Sequence, residues 1–312
     1  MFVLAAATLA PVLPASAAPK KVLVVTVTLG YRHGPSIAEA EKLLPQLAAA
    51  DGRFAVDFVS QPPGWPTMPS APKPGPAGAE DPTFLAAKAK FETARQAFQE
   101  ATEKWTPSVV AVLQALSPQN LKKYDAVLFM STTGDLPLPD KQGFLDWIAD
   151  GHAFIGVHAA TDTFHGYPAF IDMIGGEFKT HGPQVAVECL NEDPAHAATA
   201  HLPANWPVFD EIYQFKNFDR SKVHGLLGLD KHPNNKTPGD YPLAWCRMFG
   251  TGRVFYTALG HRNDIWNPEA TDNGKRVNPA GTAQQFQRHL LGGILWALGL
   301  APGEATPQAL KQ

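Results

Sequence analysis

Short runs of β-branched and apolar residues alternate with amphipathic segments through the first half of this 312-residue chain. Residues 21–28 (KVLVVTVT) are typical of a strand buried on both faces, and residues 36–50 carry apolar side chains at helical spacing. The same patterns predict strands at 54–60, 126–130 and 153–157 and helices at 84–105 and 139–150. Strands that alternate with helices build βαβ units. The sequence therefore predicts an α/β fold with a doubly wound, mostly parallel sheet and helices on both faces.

The second half of the chain has a looser pattern with shorter strands. Strands are predicted at 185–189, 225–229, 243–249 and 253–259, and a helix at 286–298. Gly250-Thr251-Gly252 is typical of a hairpin turn between the last two strands. Residues 61–82 are rich in proline, glycine and alanine, which predicts a surface loop within an insertion at about 61–108. We expect one domain over residues 19–302, followed by a tail at 303–312.

The first residues carry an export pattern. An apolar stretch at 2–13 is followed by Ala15-Ser16-Ala17, an A-x-A cleavage site, so residues 1–18 are predicted to be a signal peptide. The stretch is too short to span a membrane, and the expected location is periplasmic or secreted. Export would permit a disulfide between Cys189 and Cys246, although nothing in the sequence requires one. The formal net charge of -3 disfavours nucleic acid as a partner.

Polar residues follow several of the predicted strands at the point where each strand ends. His33 follows the first strand, residues 132–135 follow the third, and His158 follows the fourth. Ligands of open parallel sheets bind beyond the carboxyl ends of the strands, so these residues are expected to line one site. His261 would reach the same edge if the strand before it is parallel to the others. Gly156-Val157-His158-Ala159-Ala160 has the pattern of a nucleophile elbow, in which small residues flank a polar one at a sharp strand-to-helix turn.

Several motifs occur in the order found in one protein family. They are Gly30-Tyr31-Arg32-His33, residues 156–163 (GVHAATDT), residues 178–181 (FKTH), Asp210-Glu211-x-Tyr213 and residues 252–261 (GRVFYTALGH). From about residue 21 to residue 300 the chain resembles the ThuA-like (trehalose utilisation) family. The resemblance implies a flavodoxin-like, class I glutamine amidotransferase-like fold and a link to sugar catabolism. Amidotransferases of this fold carry a cysteine at the elbow, where this chain has His158, so glutaminase activity is not expected.

Three histidines are the candidate catalytic residues: His33, His158 and His261. An imidazole near neutral pH acts as a base, a proton shuttle or a metal ligand. If the three imidazoles meet, they could bind a divalent metal such as zinc, with water in the fourth position. The sequence has no HExxH or CxxC spacing to support such a site. The alternative is that the protein uses no cofactor. A purely structural role for His158, hydrogen-bonded to backbone beside a tight turn, is also open.

Further polar and aromatic residues are candidates for holding a substrate. Glu211 and Tyr213 share one face of an extended segment, whereas Asp210 points to the other face. Arg32 lies near a helix start and could hold an anion or sugar hydroxyls, unless it forms a surface salt bridge. Trp266 is a candidate stacking platform for a sugar. The full candidate set is Tyr31, Arg32, Asp135, Thr161, Asp162, His181, Glu211, Tyr213, Arg262 and Trp266.

Some of these residues could serve the fold instead of a substrate. Asp135 and Asp162 lie at strand ends and could cap the helices that follow. His181 could face either the site or solvent. Six further histidines have no placement near a strand end and are predicted to lie on the surface or in packing positions: His152, His196, His201, His224, His232 and His289.

Two functions from different classes fit these residues. The first is an enzyme that acts on a sugar or keto-sugar by histidine acid/base chemistry, with or without a metal. The second is a non-catalytic sugar-binding or regulatory module that kept an amidotransferase-like fold. Both predict a small-molecule carbohydrate as the partner, and both leave a homo-oligomer open.

Overall fold

The computed structural model describes residues 18–76, 78–272 and 274–308. The predicted signal peptide, residues 1–18, lies outside the described residues apart from Ala18, so export and a periplasmic or secreted location stay predictions. No helix within the described ranges combines the length and the apolar character that crossing a bilayer requires.

The secondary structure begins with the alternation of strand and helix that the sequence predicts. The strands are β1 (Lys20–Val25), β2 (Phe54–Val59), β3 (Ala126–Met130), β4 (Ala153–Val157), β5 (Glu177–His181), β6 (Val185–Asn191), β7 (Asn205–Asp210), β8 (Tyr213–Lys216), β9 (His224–Lys231), β10 (Pro238–Phe249) and β11 (Gly252–Thr257). The α-helices are α1 (Gly34–Asp51), α2 (Pro82–Leu113), α3 (Pro118–Leu121), α4 (Lys141–Ala149), α5 (Pro168–Ile174), α6 (Asn263–Trp266) and α7 (Ala280–Ala297). Short 3-10 turns lie at Gln114–Leu116, His158–Asp162 and Arg220–Lys222.

Among the described residues, nine strands form one mixed sheet in the order β2-β1-β3-β4-β11-β10-β9-β6-β7. The part from β2 to β11 is parallel, as the alternation of strands and helices predicts. The strands from β10 to β7 extend it in antiparallel fashion. The predicted hairpin turn joins β10 to β11, with Gly250 at a left-handed φ of 59°. β5 and β8 form a separate antiparallel pair.

Helices cover both faces of the parallel part, which confirms the predicted α/β architecture. Val22 and Val24 of β1 pack with α1 and α7 on one face, whereas Leu23 and Val25 pack with α2, α4 and α5 on the other. Successive side chains of a strand point to opposite faces, so a run such as KVLVV is buried on both sides. Each fully buried aliphatic side chain contributes about 1.5–3 kcal/mol relative to exposure.

The predicted insertion folds against the body of the protein. Residues 61–76 and 78–81 form no regular helix or strand, as their composition predicts. The ring of Trp65 lies 4.7 Å from that of Trp105, and the Trp105 indole donates a hydrogen bond of 3.0 Å to the carbonyl of Pro63. The helix predicted at 84–105 extends further, because Val109 and Leu113 at its end are fully buried.

The two cysteines lie in the core, and the described part of the tail packs on the surface of the same body. Cys189 and Cys246 are both free and buried, so the disulfide that export would permit does not form. Residues 303–308 pack along the sheet, where the carbonyl of Thr306 accepts a hydrogen bond of 2.8 Å from His224. The division into one domain and a tail stays a prediction.

Candidate functional site

The three candidate histidines lie at one edge of the sheet. His33 precedes α1, His158 follows β4, and His261 follows β11. β1, β4 and β11 belong to the parallel part of the sheet, so their carboxyl ends face the same edge. The ring centroids are 4.7 Å apart for His33 and His158, 5.2 Å for His33 and His261, and 5.3 Å for His158 and His261. The convergence expected from the strand ends is therefore present.

His158 occupies a sharp turn of the kind that the sequence predicts. Its φ is 50°, a left-handed value that is strained for a residue with a side chain. A Cβ at Gly156 would lie 2.9 Å from the ring of Tyr256, so only glycine fits there. The Tyr256 hydroxyl donates a 2.7 Å hydrogen bond to the carbonyl of His158 and thereby fixes the turn.

The orientation of the His158 ring follows from its backbone contact. Nδ1 lies 2.8 Å from the carbonyl oxygen of Ala258, which can only accept, so Nδ1 carries the proton. The lone pair of Nε2 then points toward the other two histidines. His158 therefore has the structural role that the sequence leaves open, a hydrogen bond to the backbone beside a tight turn. That role uses only Nδ1 and leaves Nε2 without a hydrogen bond.

Glu211 links the histidines to one another. Its Oε2 lies 3.2 Å from Nδ1 of His261 and 3.7 Å from Nε2 of His158. Its Oε1 lies 3.0 Å from Nδ1 of His181. The His261 contact is close enough for an ion pair, although its angle is too bent for a hydrogen bond. Glu211 therefore faces the site, as the alternation of the segment predicts.

Asp210 points the other way and holds the loop that carries His261. Its carboxylate is fully buried and accepts backbone N–H bonds of 2.8 Å from Gly260, 3.3 Å from His261 and 3.1 Å from Arg262. A buried carboxylate that is satisfied by backbone donors fixes their geometry. Asp210 is thus a positioning residue.

Burial and the Glu211 carboxylate shift the pKa values of the imidazoles in opposite directions. Burial, with the nearby His261, lowers the pKa of His33 to about 4, and burial also lowers that of His158 well below its usual value. Burial alone would lower the pKa of His261, but contact with Glu211 and the charge of Asp210 raise it overall. Burial would raise the pKa of Glu211, yet His261 lowers it on balance. The surroundings therefore favour the neutral form of His33 and His158 and the protonated form of His261.

Aromatic rings and His181 form the rim of the site. Tyr31 is 68% exposed, and its ring meets that of His33 edge-on at 4.8 Å. Tyr213 is buried, with its ring 4.3 Å from that of His158 and its hydroxyl 3.5 Å from Nε2 of His33. His181 is the more exposed partner of Glu211. The structure therefore brings Tyr31, His181 and Tyr213 to the histidines.

Four of these side chains have the donor atoms of a metal site. One nitrogen from each of His33, His158 and His261 and one oxygen of Glu211 lie within 4.8 Å of one another. We call these four residues the His-Glu cluster. The sequence predicts its histidines as ligands but assigns Glu211 to the substrate.

The model of one protein family matches a part of the chain that contains most of this site. The model of the family described as ThuA, trehalose utilisation, matches residues 84–297. The chain belongs to the ThuA family. The matched range contains His158, Glu211 and His261, whereas His33 lies before it. A comparison with curated proteins gave no match.

Two solved structures are similar to this ThuA-family chain. A putative ThuA-like protein from Bacteroides uniformis has 19% identity and a TM-score of 0.56, with 92% of this chain and 95% of that chain covered. A putative ThuA-like protein from Parabacteroides merdae has 19% identity and a TM-score of 0.59, with 92% of each chain covered. At this identity the likeness concerns the fold, and it agrees with the expected flavodoxin-like, class I glutamine amidotransferase-like architecture.

Three polar candidates of this ThuA-family protein lie away from the cluster. Asp135 is exposed and pairs with Lys141 at 2.6 Å, without capping a helix. Asp162 accepts a 2.7 Å hydrogen bond from His165 and caps no helix either. Arg32 donates to the carbonyl of Thr26 at 2.5 Å, so its guanidinium is already engaged.

Three further candidates are structural. Trp266 is fully buried and donates a 2.8 Å hydrogen bond to the carbonyl of Gly260, so it cannot stack on a sugar. Arg262 is buried in an ion pair with Asp264 at 3.0 Å. Thr161 is buried with its hydroxyl 3.0 Å from that of Tyr256. These assignments to the substrate fail because the sequence does not reveal how deep each side chain lies.

Several supporting residues of the ThuA-family site are not predicted from the sequence. Strand alternation correctly points Asp210 away from Glu211, but it does not reveal that the backbone N–H groups of the His261 loop lie on that side and donate to Asp210. Tyr256 carries no signal beyond strand periodicity. His165, which lies between Asp162 and Glu177, is not among the sequence candidates; its spacing of three from Asp162 is the available signal.

Proposed function

We propose that this protein is an enzyme of carbohydrate catabolism that moves protons on a sugar or keto-sugar at the His-Glu cluster. The observation that carries the proposal is the meeting of His33, His158, His261 and Glu211 beneath an open rim. The family description, trehalose utilisation, supports the carbohydrate class. The histidine at the elbow supports a reaction other than glutamine hydrolysis, because a thiolate nucleophile has no counterpart there.

The roles of the imidazoles follow from their surroundings. His33 has no carboxylate in direct contact within the described part of the chain, and it lies beside the exposed ring of Tyr31. It is suited to remove a proton from a substrate stacked on that ring. His261 faces Glu211, which favours its protonated form and suits it to donate a proton. Isomerisation or elimination next to a sugar carbonyl needs such a base and acid pair.

His158 takes a different part from the one that its sequence position suggests. Its side chain is fully buried beneath the other rings, so it cannot reach a substrate at the rim directly. Its ring instead packs against the ring of His33 at 4.7 Å and that of Tyr213 at 4.3 Å, and thereby holds both in place. We therefore assign the base to His33 and a positioning role to His158.

The test is product analysis by mass spectrometry after incubation with a panel of oxidised and unoxidised disaccharides, trehalose among them. The wild-type protein is compared with His33→Gln and with Asp135→Asn, a change at the same sheet edge but outside the cluster. We expect wild type and Asp135→Asn to convert one member of the panel, and His33→Gln to be about 10²–10⁴-fold slower.

Three results would count against the proposal. Full turnover by His33→Gln would remove the base that we assign. Binding of a sugar without any product would favour the rival function, a non-catalytic sugar-binding module. Ammonia release from glutamine would contradict the exclusion of glutaminase activity.

A further inference from the structure

We propose that the His-Glu cluster is a binding site for one divalent transition metal ion, of the class of zinc, cobalt or manganese. The ligands would be one nitrogen each of His33, His158 and His261 and one carboxylate oxygen of Glu211. This inference goes beyond the proposed function and uses the same four side chains. A nitrogen that binds the ion cannot also transfer a proton, so the acid and base roles proposed for His261 and His33 belong to the metal-free protein. Metal binding can be measured without any turnover.

The first support is a set of buried nitrogens that make no hydrogen bond, although Nδ1 of His261 lies in ion-pair contact with Glu211. Within the described part of the chain, Nδ1 of His33, Nε2 of His158 and Nδ1 of His261 are buried and make no hydrogen bond. Buried polar atoms are nearly always paired, so each exception has a physical cause. Three such atoms that converge beside one carboxylate fit a single cause, which is a common electrophilic partner.

The distances fit a metal ion. Ligand atoms about 2.1 Å from a tetrahedral ion are about 3.4 Å from one another. Oε2 of Glu211 lies 3.2 Å from Nδ1 of His261 and 3.7 Å from Nε2 of His158, close to that value. The widest separation between ligand atoms in the cluster is no more than 4.8 Å, so small side-chain rotations would bring all four atoms to the distances of a tetrahedral site.

The surroundings hold the donor atoms in place. The Nδ1–H of His158 bonds to the carbonyl of Ala258, which directs Nε2 inward. Asp210 holds the backbone of His261, and Oε1 of Glu211 contacts His181. Metal-binding histidines and carboxylates typically have such outer partners, which orient the ligand atom.

The donor types indicate the class of metal. Three imidazoles and one carboxylate are suited to first-row transition metals, whereas calcium and magnesium prefer oxygen ligands throughout. Four protein ligands would still leave room for a further ligand if the ion became five-coordinate. The exposed rim at Tyr31 and His181 lies where a substrate could approach.

The test is binding of Zn²⁺ and Co²⁺ to chelator-treated, dialysed full-length protein, followed by calorimetry and elemental analysis. Bound Co²⁺ also has a visible spectrum that reports nitrogen and oxygen ligands. We expect one ion per chain in the wild type and affinity at least about 100-fold lower in Glu211→Gln, which keeps the shape of the side chain. The matched control is His165→Gln, since His165 also contacts two carboxylates, those of Asp162 and Glu177, outside the cluster.

The outcomes separate this proposal from the proposed function. Equal affinity in wild type and Glu211→Gln, loss of the ion in His165→Gln, or binding well below one ion per chain would overturn the metal site. A protein that binds one ion per chain but converts no sugar in either its metal-free or its metal-loaded form would overturn the enzyme and leave the metal site standing. If Glu211→Gln folds poorly, His33→Gln is used instead, and a rise in melting temperature on adding Zn²⁺ should occur in the wild type and be absent from the variant.

Discussion

Replacement of Tyr256 by phenylalanine tests how the turn at His158 is held. The Tyr256 side chain is fully buried, and its hydroxyl makes two contacts. It donates to the carbonyl of His158 at 2.7 Å and lies 3.0 Å from the hydroxyl of Thr161, which can then only donate to it. Phenylalanine fills the same space but removes both hydrogen bonds.

The expected loss follows from the number of bonds and their burial. A hydrogen bond contributes about 0.5–1.5 kcal/mol net, so two bonds contribute about 1–3 kcal/mol, and buried partners that stay unpaired place the loss in the upper part of that range. The carbonyl of His158 and the hydroxyl of Thr161 are both left in a region that solvent does not reach. We expect Tyr256→Phe to lower the free energy of unfolding by about 2–3 kcal/mol.

Urea denaturation followed by circular dichroism measures this difference. Thr161→Val should lower the free energy of unfolding by about 1 kcal/mol, and the double variant should fall short of additivity by a similar amount, since the two residues share one bond. Tyr167→Phe is the control, because its hydroxyl bonds to Gln142 at the surface, and it should stay within about 0.5 kcal/mol of wild type. A loss below about 0.5 kcal/mol for Tyr256→Phe would refute the reasoning.

Two further predictions concern buried side chains and the rim. Burial of the ring lowers the pKa of His289 to about 3, although its hydrogen bond to the carbonyl of Ala198 acts in the opposite direction. The pKa of His289 in the folded protein lies below its value in the unfolded chain. The contribution of the neutral ring to the free energy of unfolding is therefore complete above pH 6.5 and is lost as the pH falls toward 3, at about 1.4 kcal/mol per pH unit. The free energy of unfolding, measured in urea between pH 7 and pH 4.5, should fall less steeply with decreasing pH in His289→Gln than in the wild type. The same steepness in both proteins would contradict the lowered pKa of His289. Trp266→Phe should lower the melting temperature and leave sugar binding, measured by calorimetry, unchanged. Tyr31→Ala should weaken sugar binding and leave the melting temperature unchanged. If only Trp266→Phe weakened binding, Trp266 would again be the candidate stacking platform.

Local sequence was sufficient for much of the fold. Alternating apolar runs located β1 to β4 and the helices between them, because strand and helix periodicity depend only on which face of a short segment is buried. The predicted hairpin turn accounts for the antiparallel pairing of β10 with β11, but the same reasoning did not predict that β9, β6 and β7 extend the sheet beyond β10. Their order depends on pairings between segments far apart in the chain, which periodicity does not encode.

The site divides in the same way. The sequence by itself indicated that His33 and His158 would share one edge, because parallel strands end on the same side of a sheet. The place of His261 depended on the direction of the strand before it, and the structure pairs that strand, β11, in parallel with β4. The sequence also determined the turn at residue 158, because small neighbours permit a backbone that larger residues would not.

Only the tertiary structure decided which other side chains join these histidines. It placed Glu211 among them, and it buried Trp266, which the sequence analysis offered as a stacking platform for a sugar. Depth and contact are set by the packing of segments that are distant in the chain, and a residue's own neighbours in sequence carry no record of that packing.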